Sequence, residues 1–192
     1  MKNPTREERI SFWSHNYARS SFIQAQDSIE LLLYSNPPLN DPLRRALTVA
    51  IVCMYCRHFK QRNAVRLSGD TVPSEHRETH DTLIVERDKV IVHRDLDGPS
   101  FDWGLISQLQ INFKDTSCTV NTISPCISNE KAIDIHSLLS FLIEEMDGRV
   151  NSFMARHVLH LPPMNASYVV RRGDGRSRLR GVSARRRHES PG

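Results

Sequence analysis

Nine consecutive residues, Arg87-Asp88-Lys89-Val90-Ile91-Val92-His93-Arg94-Asp95, set permanent cations, two carboxylates and an imidazole inside a short apolar run. A guanidinium can hold the non-bridging oxygens of a phosphodiester. A histidine, titrating near neutral pH, can take a proton from one oxygen and return it to another. The same residues can instead be structural, with Arg87 paired to an acid such as Asp95 or one on another helix, and His93 bonded to carbonyls at a helix end. The two readings differ in what must lie opposite these side chains, and that is decided by the elements that position them.

Apolar periodicity predicts a mainly α fold, an antiparallel bundle of three to four long helices. Residues 6 to 35 place Phe22, Ala25, Ile29, Leu32 and Leu33 on one stripe, and Asn36-Pro37-Pro38 ends it. Asn40 or Asp41 can cap a second helix, with Pro42 in its first turn, running to about Gln61. Its expected buried face is Leu43, Leu47, Ala50, Ile51 and Met54. Residues 63 to 72 read as a loop, and Pro73-Ser74-Glu75 opens a third helix that carries the Arg87 stretch. After Asp97-Gly98-Pro99 the period changes to two. Leu109, Ile111 and Phe113, then Cys118, Val120 and Thr122, predict an inserted two-stranded β-hairpin over about 107 to 124. A last helix is expected from Asn129 to about His157, and Leu161-Pro162-Pro163 stops it. Residues 6 to 160 are therefore read as one helical domain.

On a straight α-helix, the step from Arg87 to His93 leaves the side chains about 120° apart around the axis and ~9 Å apart along it. Arg87 falls on the apolar stripe with Leu83, Ile84, Val90 and Ile91. His93 falls with Thr82, Glu86 and Lys89 on the polar one. A buried arginine must reach an anion, a carboxylate or a set of carbonyls. A joint site therefore needs a second copy of the chain or a broken helix.

Other residues invite chemistry and have plainer explanations. Tyr55, Arg57, His58 and Phe59 can support a site or pack between helices. His76 and His80 have metal-ligand spacing but no third ligand nearby, and are expected on a solvated face. Cys53-Met54-Tyr55-Cys56 lies inside an apolar helical run rather than at a strand-to-helix junction. Cys118 and Cys126 do not have the spacing of a tight zinc turn, so free thiols are expected and no metal. Trp13 and Trp103 read as core or interface anchors. No glycine-rich phosphate loop is present, and no cofactor is expected.

An arginine, a polar residue, four more positions and a histidine near a helix end, in an all-helical chain, resemble the motif of the HEPN superfamily, here Arg87-Asp88 and His93. The trailing Asp95, and Tyr55, Arg57 and Phe59 on the preceding helix, resemble a bacterial HEPN-like subset of unassigned function. The resemblance implies a homodimer in which Arg and His of both protomers converge on one cleft. It further implies metal-independent RNA cleavage by Arg87, Asp88 and His93, with Asp95, Tyr55 and Arg57 in support. A defence or toxin setting with a cognate antitoxin or regulatory protein goes with it. The alternative is a non-catalytic helical interaction protein in which Arg87 and His93 are structural. The spacing alone is not selective, since Arg9 and His15 repeat it.

Charge divides unevenly. Residues 171 to 192 hold eight arginines (Arg171, Arg172, Arg176, Arg178, Arg180, Arg185, Arg186, Arg187) against Asp174 and Glu189, a net +6, so the other 170 residues carry −2 of the chain's +4. The tail over 167 to 192 lacks apolar periodicity and is expected to be disordered. It can bind nucleic-acid phosphates without reading sequence, or simply be solvated. No apolar run reaches the ~18 residues of a membrane span, and the first residues lack a secretory pattern, so a cytoplasmic location is expected.

Overall fold

The computed structural model describes residues 4–60, 66–88, 108–114, 117–123, 126–157, 167–168 and 181–182. Its main elements are four helices, Arg6–Ser35 (α1), Pro42–Lys60 (α2), Arg77–Glu86 (α3) and Asn129–His157 (α4). Both ends of α1 and the starts of α2 and α4 have a local cause. Thr5 caps α1 through a reciprocal pair, its hydroxyl accepting from the Glu8 amide at 3.1 Å while the Glu8 carboxylate accepts from the Thr5 amide at 2.8 Å. At the other end Asn36 adopts a left-handed conformation, φ 40°, and returns its N–H to Leu32 O. Of the two expected caps for α2, Asp41 does the work, its carboxylate accepting from the Leu43 amide at 2.7 Å. Ser128 takes the same role before α4.

The helices run antiparallel, as their cross-links show. Along α1, Glu8 meets Arg156, Arg19 meets Asp147, Gln26 meets Ser140 and Asn36 meets Asn129, so α4 descends as α1 rises. Tyr17 meets Arg57 and Asn36 meets Arg44, giving α2 the opposite direction to α1 as well. The short connection from Ser35 to Pro42 favours this arrangement for α1 and α2. Phe22, Ile29, Leu32, Ile51, Tyr55, Leu83, Leu138, Leu139, Leu142 and Met146 close the core between them, each fully buried. Removing such side chains from water contributes about 1.5–3 kcal/mol apiece.

The buried face of α2 differs from the one periodicity suggests. Leu43 is 44% exposed and Ala50 and Met54 are half-buried, whereas Arg44, Leu47, Thr48, Ile51, Val52, Tyr55, Cys56 and Phe59 turn inward. The rotation is set by Arg44, 3% exposed, which donates to Pro37 O, Ile127 O and the Asn36 and Asn129 amide oxygens. The arginine buried among carbonyls is thus Arg44, and not Arg87.

Before α3 the chain makes two 3₁₀ turns, Gly69–Thr71 and Ser74–His76, so the α-helix proper starts later than Pro73. Between α3 and α4 the backbone includes two paired strands, Gln108–Lys114 (β1) and Ser117–Ile123 (β2), with Ile111 opposite Val120. Inside the stretch expected to be disordered, Ser167–Tyr168 (β3) pairs with Gly181–Val182 (β4). The eight tail arginines lie outside the described residues, as do Trp103, His93 and Asp95.

Candidate functional site

The seam between α2 and α3 collects most of the chemistry. At its lower end α3 gives way to a π-helical turn at Arg87 and Asp88. Such turns alter the angular step between successive side chains. The straight-helix projection therefore stops at Glu86, and Arg87 does not lie in the core: its side chain is 35% exposed. Its Nη1 donates to the Asp88 carboxylate at 2.8 Å, and the other Asp88 oxygen accepts from Lys60 Nζ of α2 at 2.5 Å. Partial burial pushes the Asp88 carboxyl up, but the bonds from Lys60 and Arg87 outweigh it and hold the group below the usual carboxylate range. An ionised carboxylate thus orients Arg87 and ties the end of α3 to the end of α2.

About two turns earlier on α3, His80 meets Tyr55 of α2. The Tyr55 hydroxyl lies 2.6 Å from His80 Nδ1, and Phe59 packs edge-on against the imidazole at 4.7 Å. Burial raises the Tyr55 pKa strongly, so the phenol keeps its proton. Burial likewise lowers that of His80, which favours the neutral ring. A buried phenol that donated to nothing would lose a hydrogen bond, so Tyr55 donates to Nδ1 and the ring's own proton sits on Nε2. His80 is 6% exposed, which corrects the expectation of a solvated face; His76 is half-buried. The spacing contained the signal. His80 stands three and four residues before Leu83 and Ile84, on the same stripe.

A second polar group is also turned inward. Glu86 was expected on the polar stripe but is 3% exposed, its Oε1 without a hydrogen-bond partner, and burial pushes its pKa up to about 7. Lys60, His80 and Glu86 are the residues that sequence patterning did not select. Arg57, which it did, points away to α1, donating to the Tyr17 hydroxyl at 2.8 Å. Cys56 donates to Leu83 O at 3.2 Å, and burial raises its pKa strongly, which keeps it a thiol; Cys53 is a free thiol as well. The repeat of the Arg–His spacing in α1 separates its members: Arg9 donates to Pro4 O, while His15 stands 3.5 Å from Arg149 of α4. Trp13 stacks on Tyr17 at 5.2 Å.

No family model, curated protein or solved structure matches the chain. The geometry must therefore speak through its own residues. Among the described residues, no helix is long and apolar enough to cross a membrane.

Proposed function

We propose that the chain is a HEPN-like helical protein that binds RNA and, as a two-fold homodimer, cleaves it without a metal through Arg87, Asp88 and His93. In this reading the paired strands between α3 and α4 form a hairpin inserted into the helical domain. The observation that supports it is Arg87 itself, half-exposed at a π turn and oriented by a carboxylate that α2 anchors through Lys60. A guanidinium held in place before substrate arrives stabilises developing phosphoryl charge without reorganising. His93 would take the proton of the RNA 2′-hydroxyl as that oxygen attacks phosphorus, and the departing 5′-oxygen would receive one. The products are a 2′,3′-cyclic phosphate and a 5′-hydroxyl. Asp95 would support His93, and a cognate antitoxin or regulatory partner would restrain the activity. Incubating RNA with the parent and with His93→Ala, both in chelator, tests this: cleavage by the parent alone supports it, and equal or no cleavage by the folded dimers overturns it.

A second reading rests on the same cluster. Lys60, Asp88 and Arg87 already form a complete ion-paired tie within one chain, as a non-catalytic interaction protein would use it. Under that reading Arg87→Ala lowers stability and leaves RNA untouched.

A further inference from the structure

Next to the Arg87 cluster the α2–α3 seam opens into a cleft of about 430 Å³. Its polar lining includes Lys60, Arg66 and His80, and its apolar floor Phe59, Leu67 and Ile84; no aspartate or glutamate is among its described lining residues. Arg66 is held at the rim by a hydrogen bond from its Nε to Phe59 O. His80 is fixed from behind by Tyr55, so its Nε2–H is the edge turned to the cleft, where it lies 3.9 Å from the position a Cβ on Gly69 would take. Arg77 approaches the same point, its Nη1 3.0 Å from that position. The Lys60 ammonium on the lining is already paired with Asp88, so the charge offered to this space is that of Arg66, with Arg77 beside it and an oriented neutral donor at His80. Such a surface favours an anion.

We infer that this cleft binds the phosphate of a nucleotide, with His80 Nε2–H as the central donor, Arg66 as the counter-charge, and the Phe59 floor under the nucleoside. Several donors converging from different sides suit a tetrahedral anion better than a planar carboxylate. The volume lies within the ~300–1,000 Å³ usual for small-ligand sites, so it exceeds what a bare phosphate needs. The phosphate can come from a free nucleotide or from an RNA strand. The inference uses residues other than His93 and does not rest on the cleavage reading.

The test uses the full chain carrying His93→Ala, titrated separately with inorganic phosphate, AMP and a short single-stranded oligoribonucleotide. The His80 imidazole nitrogen resonances are followed by NMR and affinity by calorimetry. AMP or the oligonucleotide is expected to move the Nε2 resonance and to bind at least tenfold more tightly than inorganic phosphate. Affinity is expected to fall at least tenfold in Arg66→Gln and in Gly69→Val. Gly69 has no positive φ, and a Cβ there would lie 3.0 Å from the flexible end of Arg77 and 3.9 Å from the His80 ring, so the Val variant adds its side chain on the cleft side without requiring a backbone change at φ. Binding by the oligonucleotide alone assigns the phosphate to RNA, and binding by AMP assigns it to a free nucleotide. The proposal fails if none of the three moves the resonance, if both variants, folded as judged by circular dichroism, bind like the parent, or if inorganic phosphate binds as tightly as AMP. Binding here with no RNA cleavage by the parent would overturn the nuclease reading and leave this one standing.

Discussion

Glu86 carries a carboxyl group 3% exposed, with one oxygen unpartnered and a pKa pushed by burial from 4.5 to about 7. The folded value lies above the unfolded one, so the folded chain holds an extra proton across that window and loses stability as pH rises through it. His58 opposes this. Buried, with Nε2 unpartnered, its pKa is pushed from 6.5 down to about 4, so its contribution is present above the unfolded value and is lost as pH falls toward 4. Over the shared range the two slopes oppose each other, and the lowered pKa values of His15 and His80 add to the side of His58. Glu86→Gln removes the first slope. Its advantage over the parent in urea denaturation is expected to grow by about 2 kcal/mol between pH 5 and pH 8. A constant difference at both pH values would show that this carboxyl does not titrate on folding. Tyr55 offers a second measurement at this scale. Tyr55→Phe leaves His80 Nδ1 buried without its donor, at a cost of about 1–2 kcal/mol, and releases the tautomer from the Nε2–H form. Histidine nitrogen shifts identical to the parent's would mean that something other than Tyr55 selects the tautomer.

Helices α1, α2 and α4 are well expressed in the sequence because their signals are local: caps at Thr5, Asp41 and Ser128, breakers at Asn36-Pro37-Pro38, and apolar stripes long enough to define a face. What the periodicity misjudged was which polar residues go inside. Burial of Arg44 and His80 depends on carbonyls and rings brought by other elements, and the sequence around each residue does not contain those partners; Glu86 is buried with an oxygen unpartnered. The candidate site is legible to the same extent. Arg87 and Asp88 stand out by type, but Lys60 enters from another helix, and the π turn breaks the angular rule on which the projection relied. Arg44 shows how far one such residue reaches. It joins the α1–α2 turn to the start of α4 through Pro37, Ile127 and Asn129. Arg44→Met keeps the apolar stem but strips the donors from several acceptors at once, and is expected to cost about 3–5 kcal/mol in chemical denaturation. A loss below about 1 kcal/mol would mean that water replaces the guanidinium and that the junction does not depend on it.

At the scale of the whole molecule, the proposed chemistry has two separable parts, holding RNA and cutting it. With eight arginines against two acids over 171 to 192, deleting residues 167 to 192 is expected to weaken RNA binding and lower the slope of log affinity against log salt by up to about 5. An unchanged slope would exclude the tail from binding. Cutting poses a question of assembly. If Arg87 of one protomer works with His93 of the other, each variant dimer of Arg87→Ala or His93→Ala lacks a complete pair. A hybrid dimer restores one of its two, because the Arg87 it needs comes from the His93→Ala chain and the His93 from the Arg87→Ala chain. Random mixing makes half of the dimers hybrid, so two inactive preparations, unfolded together and refolded, should recover roughly one quarter of the parent's RNA cleavage. If both residues act within a single chain, no subunit in the mixture has both, and activity stays at the level of the separate variants. Recovery therefore requires a composite site, whereas its absence, with hybrids verified by mass, would return Arg87 to the structural tie that Asp88 and Lys60 already complete.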